Sequence, residues 1–265
     1  MSSSTSGSST PAHDAPGVDP VEDRWVRPGR TLALVLIPAA VLVPVMSAVF
    51  WRIAVATESF EEHQLWFQLW SIFDIGDEHN VAVWYNSTLW LLLGAVAIAA
   101  ALTAPRHRLS WWFFAAVSIT ASADEAAELH ERLIFVGDWL RPYVPVDVHY
   151  SWVIPGTAIA IVVALVLLRL VLKLRRPAMI GILAGGAIFL LGALVIETIT
   201  GLVHREAGYM STLYTSLTYV EEFFEVLGIT VAIIAAASLF LVQRQDGRLS
   251  VRFDGYRRDT GGVKK

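Results

Sequence analysis

The sequence predicts an all-α, polytopic membrane protein, a bundle of six transmembrane helices with both termini cytoplasmic. Three observations predict it. The 265 residues are 55% hydrophobic and only 17% charged, with a mean hydropathy of +0.55. Six apolar segments, near 31–54, 83–103, 110–134, 151–172, 178–203 and 218–242, have the length and composition of membrane-crossing helices. Six crossings also put 16 of the lysines and arginines on the side of the amino terminus, and leave only Arg52, Arg132, Arg141 and Arg205 on the other. That is the positive-inside pattern. Removing any one helix would carry later basic clusters to the wrong side.

Residues 1–29 are rich in Ser, Pro, Gly and acids, too polar to bury a core, so a disordered cytoplasmic tail is expected. It has no apolar stretch of the signal-peptide kind. The membrane domain then runs over 30–243, and a basic cytoplasmic tail over 244–265. Strands are not expected, because period-2 alternation is absent and each run exceeds a barrel strand. The loop 55–82 has no basic residue. Within it, Trp66, Leu69, Trp70 and Phe73 recur at helical spacing, which predicts an amphipathic helix over about 58–73. Such a helix either lies on the outer membrane surface or packs as a lid over the helix ends. Trp84, Tyr85, Trp111, Trp112, Tyr150 and Trp152 sit at predicted helix ends, where interfacial anchors belong. Gly181 and Gly185 form a GxxxG that suits close helix packing. Asn86-Ser87-Thr88 matches a glycosylation pattern but falls inside an apolar segment, so it is discounted.

The third segment carries the feature that bears on function, ASADEAAELHERL at 121–133. From Ser110 to Ala123 a helix would rise roughly 21 Å, short of the roughly 30 Å hydrocarbon core. The helix is therefore expected to continue and carry acids into the outer third of the membrane. Asp124, Glu128 and Glu131 fall within about 60° of one another on it, with Glu125 and His130 pointing elsewhere. The fifth helix brings Glu197 and then His204 to the same side. The sixth brings Glu221 and Glu225 on one face, with Glu222 about 100° away. His79 and His149 also lie on that side. An ionised acid at mid-span costs about 2.5–3.5 kcal/mol. No Lys or Arg lies at that depth to neutralise these acids, although Arg132 and Arg205 could pair with Glu131 and Glu206 just above. The acids must then be protonated, hydrated in a cavity, or bound to a cation.

Carboxylates with one or two imidazoles suit divalent Mn, Fe, Mg, Ca or Zn. The expected metal set is Asp124, Glu128, Glu131, Glu197, His204, Glu221 and Glu225, with Glu125, His130, Glu222, His79 and His149 as secondary candidates. A bound metal could activate water or dioxygen, as in a membrane metalloenzyme acting on a small molecule or a lipid. The chain has no cysteine, which excludes disulfides, thiolate nucleophiles and thiol-ligated metals. It also lacks the Glu-x-x-His, His-Glu-x-x-His, Gly-x-Ser-x-Gly and Walker patterns, so no reaction is named. Other readings stay open. The acids could be protonated packing elements, the pathway of a proton- or cation-coupled transporter, or part of an accessory or receptor subunit that docks partners through its outer loops. The lipid bilayer is the expected partner, nucleic acid is not, and the expected location is a bacterial inner membrane.

The combination of DEAAELHE in a mid-chain helix, a later helix with a single Glu, and VEEFFEVLG in the last resembles a family of polytopic bacterial and archaeal membrane proteins. The resemblance covers the third to sixth helices. It implies that Asp124, Glu125, His130, Glu131, Glu221, Glu222 and Glu225 match the family pattern. It implies no activity.

Overall fold

A computed structural model of the chain describes residues 24–257, apart from Glu78, Val146, Met210 and Asp246. Residues 1–23 of the tail expected over 1–29, and the basic residues Arg258, Lys264 and Lys265, lie outside the described residues. Nine α-helices and a hairpin make up the described chain. They are α1 (Gly29–Ala56), α2 (Phe60–Phe73), α3 (Val81–Thr103), α4 (Arg108–Ala127), α5 (Ile134–Leu140), α6 (Val153–Val171), α7 (Arg176–Leu190), α8 (Glu197–Ala207), α9 (Thr212–Ala237), β1 (Phe240–Gln245) and β2 (Arg248–Phe253). A π-helical turn, Leu191–Ile196, joins α7 to α8 without a break.

Six long segments, α1, α3, α4, α6, α7–α8 and α9, run alternately between two ends of the bundle. One end is closed by the hairpin and the other by α2. Four of the six, α1, α3, α6 and the continuous α7–α8, are long and apolar enough to cross a membrane. α4 and α9 have comparable length but carry acids. Large aliphatic side chains such as Leu34, Leu42, Val162, Leu165 and Ile180 stand exposed on α1, α6 and α7.

Small residues set the helix spacing. A Cβ on Gly185 would sit 2.6 Å from the Gly228 carbonyl oxygen, and one on Gly181 would sit 2.6 Å from the Ala235 Cβ. The GxxxG face therefore packs on α9, as its spacing predicts. At the α2 end, Asn80 caps α3 by accepting from the Ala82 and Val83 N–H groups, satisfying donors that the helix leaves orphaned. Trp70 of α2 is buried and packs on Trp51 with ring centroids 4.7 Å apart. Its Nε1 donates to Tyr219 Oη, which also accepts from Ser47 Oγ. The predicted stripe of α2 is thus used against α1 and α9, which is the lid arrangement.

Two expectations need correction. The helix carrying the acids stops at Ala127 rather than near 134. Its 20 residues already rise about 30 Å, because it begins at Arg108. Glu128 takes a left-handed conformation (φ 51°) and terminates it, and a 3-10 turn, Glu131–Leu133, leads into α5. The last helix ends at Ala237, and the segment that follows is structured. Phe240 pairs with Phe253 and Val242 with Val251 in the antiparallel hairpin. The chain before α1 joins its edge, through Val26 and Val242. Arg27 and Arg175 both reach Asp254, at 2.5 and 2.9 Å. Trp111 Nε1 donates to Tyr256 Oη, whose hydroxyl donates to the Arg106 carbonyl. Every inter-helix connection at this end is therefore tied to residues 253–257.

Candidate functional site

A cavity of about 390 Å³ lies at the α2 end of the bundle. Its lining runs from exposed residues at the surface, Asp77, Glu131 and Tyr209, down to buried Asn86, Glu221 and Val226. Six glutamates and His130 and His204 line it, and no lysine or arginine does.

α9 supplies its deepest acid. Tyr214, Thr218, Glu221 and Glu222 follow one another at helical spacing and all face the cavity. Glu221 is 6% exposed, and its Oε2 has no hydrogen-bond partner. Glu197 and Thr200 of α8 are its neighbours. The π-turn before α8 explains that placement. Gly192 packs so tightly on α9 that a Cβ there would lie 2.9 Å from the Glu221 carbonyl oxygen and 3.0 Å from Glu225 Cγ. One extra residue in the turn shifts the helical phase, as π-bulges do at functional sites, and Glu197 follows directly.

The end of α4 is organised differently from expectation. Asp124 does not line the cavity. Its carboxylate accepts the His130 backbone N–H at 2.6 Å and contacts His130 Nδ1 at 3.1 Å. It braces the turn that Glu128 begins. Breaking the helix at Glu128 also breaks the predicted column of Asp124, Glu128 and Glu131. Glu125 and His130, expected to point elsewhere, line the cavity instead. Asn86 Nδ2 donates to Glu125 Oε2 at 2.9 Å, and the His130 ring packs on Trp152. Glu128 and Glu131 line the shallower part. Glu225 is not part of the lining and lies one turn further along α9, against Gly192.

Around His204 the rings gather. Tyr150 Oη lies 2.7 Å from His204 Nδ1. Tyr209, Tyr214 and His149 have ring centroids 5.6, 5.3 and 4.9 Å from that of His204. His149 stands outside the lining, and partial burial, His204, Arg205 and Arg141 hold its imidazole below the ordinary range. His79 is largely exposed, with Nε2 4.0 Å from Glu128 Oε1. Arg205 pairs with Asp147 through two bonds of 2.9 Å rather than with Glu206. Among the described residues, no three of the His, Asp and Glu side chains converge as a ready-made metal-ligand set.

Residues 31–240 match the model of a family described as a domain of unknown function, DUF8692. The chain belongs to this family. The match takes in all six long segments and every acid of the cavity, so the site lies inside the family domain. The family description names no activity. Comparison with curated proteins and with solved structures found no match.

Asn86, Tyr150, Thr200, Tyr209 and Tyr214 were not expected in the site. Asn86 was legible as a lone amide in an apolar run. Tyr214 was legible as the residue seven positions before Glu221. The loop residues Tyr150 and Tyr209 carry no such signal.

Proposed function

We propose that this is a six-span integral membrane protein, with both ends cytoplasmic, whose outward-opening acidic cavity binds a cation. The observation that carries the reading is Glu221, a buried acid with a bare oxygen in a cavity lined by five other glutamates and by no lysine or arginine. Burying a charge without a partner is costly, and a bound cation supplies the partner. The exposed aliphatics on α1, α6 and α7 suit lipid contact. In the six-span reading α4 and α9 complete the bundle, with their acids turned into the cavity. A divalent metal would draw on Glu197, Glu221, Glu222 and Glu125, with His204 or His130 as imidazole, after the side chains close in on it.

The test is thermal unfolding of detergent-purified protein with Mn²⁺, Ca²⁺ or tetramethylammonium, together with elemental analysis. At least one cation should raise the unfolding temperature, and Glu221→Gln should abolish that rise while leaving the protein folded. The reading fails if no cation shifts the wild type and no stoichiometric metal is found.

A second reading, proton- or cation-coupled transport, is favoured by buried polar groups beyond the cavity. Glu225 lies one turn further along α9, and the Tyr85, Trp90 and Thr230 side chains carry buried polar atoms, Tyr85 beside Thr230. Flux into liposomes that is lost in Glu225→Gln would separate transport from binding alone.

A further inference from the structure

We infer that the cation this cavity takes is a small amphipathic organic ammonium, bound with its charge between the Glu197–Glu221 pair and the Tyr150–Tyr214 rings. The inference rests on the cation-binding reading above and specifies its ligand. Four observations carry it.

The first is size. A cavity of about 390 Å³ falls in the range of small-molecule sites, roughly 300–1,000 Å³. A bare divalent ion would leave most of it unfilled. The second is the absence, among the described residues, of three convergent ligands, which a compact, strongly hydrated ion requires. A diffuse ammonium does not need them. The third is the aromatic group. Tyr150 neighbours Tyr214 as well as Glu197 and Glu221, and Tyr209 and Tyr214 have centroids 5.2 Å apart. All three tyrosines line the cavity together with Glu197 and Glu221, and aromatic rings combined with carboxylates are the chemistry that recognises alkylated ammonium, whose charge is spread over methyl groups and is only weakly hydrated. The fourth is an apolar part of the same lining, Val43 and Pro44 of α1, Ile75, and Val83 of α3. It offers contact to a hydrocarbon group that a metal ion does not possess.

The cavity is also built to hold a polar ligand. Asn86 and Thr200, each 3% exposed, line it alongside Glu221, and Asn86 Oδ1, Thr200 Oγ1 and Glu221 Oε2 all have no hydrogen-bond partner. Asn86 and Thr200 would take a hydroxyl or an amide carried by the ligand. The lining carries six glutamates, two histidines and no lysine or arginine, which favours cations over anions.

The experiment measures binding to the full-length protein in nanodiscs by calorimetry. The probes are choline, phenyltrimethylammonium, Mn²⁺ and Ca²⁺, with 3,3-dimethylbutan-1-ol as the neutral isostere of choline. Both organic cations should bind, phenyltrimethylammonium the tighter, and the neutral isostere at least about tenfold more weakly than choline. Tyr214→Leu should weaken organic cations by about 5- to 30-fold, the loss of one desolvated cation–π contact, while Tyr214→Phe keeps most of the affinity. Tyr150→Leu, at the other ring of the pair, gives the same readout if Tyr214→Leu fails to fold. Binding of Mn²⁺ or Ca²⁺ that needs Glu221, without binding of either organic cation, overturns the inference and leaves the cation-binding reading standing. Equal binding of the neutral isostere overturns it as well. Failure of every probe overturns both.

Discussion

Asp74, in the connection between α2 and α3, is 8% exposed. Burial lifts its carboxyl from 3.8 to about 6, nearby Asp77 adds to the rise, and the Gly76 N–H that it accepts opposes it. A raised acid favours the folded state only while it holds its proton. The stabilising contribution is complete below about pH 4 and is lost as pH rises to about 6, because across that window the unfolded chain has already released the proton. Asp74→Asn keeps an oxygen for the Gly76 N–H and removes the charge. It should stabilise the protein by on the order of 1–3 kcal/mol at pH 7.5 and change little at pH 4, as read by unfolding at the two values. Equal effects at both would show that the charge is not responsible. The same scale explains why the acids were only partly legible. Type and spacing pointed to Glu197 and Glu221, which line the cavity. Nothing local distinguishes Asp124, which braces a turn, from Glu125, which faces the cavity, because the left-handed residue that ends the helix after them is a glutamate. Left-handed backbone usually announces itself as glycine or asparagine.

At the scale of elements, α7 and α9 pack backbone against backbone. A Cβ on Gly228 would fall 2.5 Å from the Phe189 backbone nitrogen and 2.6 Å from the Gly185 carbonyl, whereas one on Gly186 meets nothing within 4 Å. Backbone cannot yield as a flexible side chain can. Gly228→Ala should therefore destabilise the bundle by about 1–3 kcal/mol, and Gly186→Ala should be neutral or stabilising by up to about 1 kcal/mol. Thermal melts of the two variants make a matched pair, and equal melts would sink this account of the α7–α9 seam. Elements with strong apolar runs were legible to within a few residues, α1, α3 and α6 above all. The α2 helix was legible too, since its stripe of Trp66, Leu69, Trp70 and Phe73 recurs at helical spacing, although that stripe did not say whether membrane or protein covers it. The π-turn at Leu191–Ile196 was not, because its sequence, LGALVI, propagates an ordinary helix equally well. Only packing against Glu221 and Glu225 selects the wider turn. The hairpin was hidden for another reason. In β2, Leu249, Val251 and Phe253 alternate with Arg248, Ser250 and Arg252 after an Asp246-Gly247 dipeptide, a recognised hairpin signal, but the apolar run of α9 flows straight into β1 and reads as more helix.

For the whole molecule, six spans make one demand: the α2 end and the hairpin end must face opposite sides of the membrane. The chain contains no cysteine, so single cysteines report cleanly. Glu62→Cys on α2 should react with an impermeant maleimide from outside intact cells, and Arg248→Cys on β2 only after the membrane is opened. Labelling of both from one side would rule out the six-span topology. The charge asymmetry that predicts this arrangement was legible at once, since positive-inside counting needs only the order of segments. How the segments nest around one cavity was not, because no local pattern states which helix faces contact one another.

The hairpin also sets an order of events. Arg27 pairs with Asp254 across 227 positions of chain, and Val26 completes its pairing only on Val242. During synthesis the membrane segments can emerge and insert one by one, yet the residues that fasten the first of them are translated last. Until then the edge of β1 does not exist, and the start of α1 is held by α9, through the Ser238 carbonyl and the contact of Gly29 with Ile234. In the six-span reading, closure of the bundle is then a late, post-insertion step, with residues 240–257 acting as the latch. A chain that stalls before Phe240 would hold all six segments and still lack the latch.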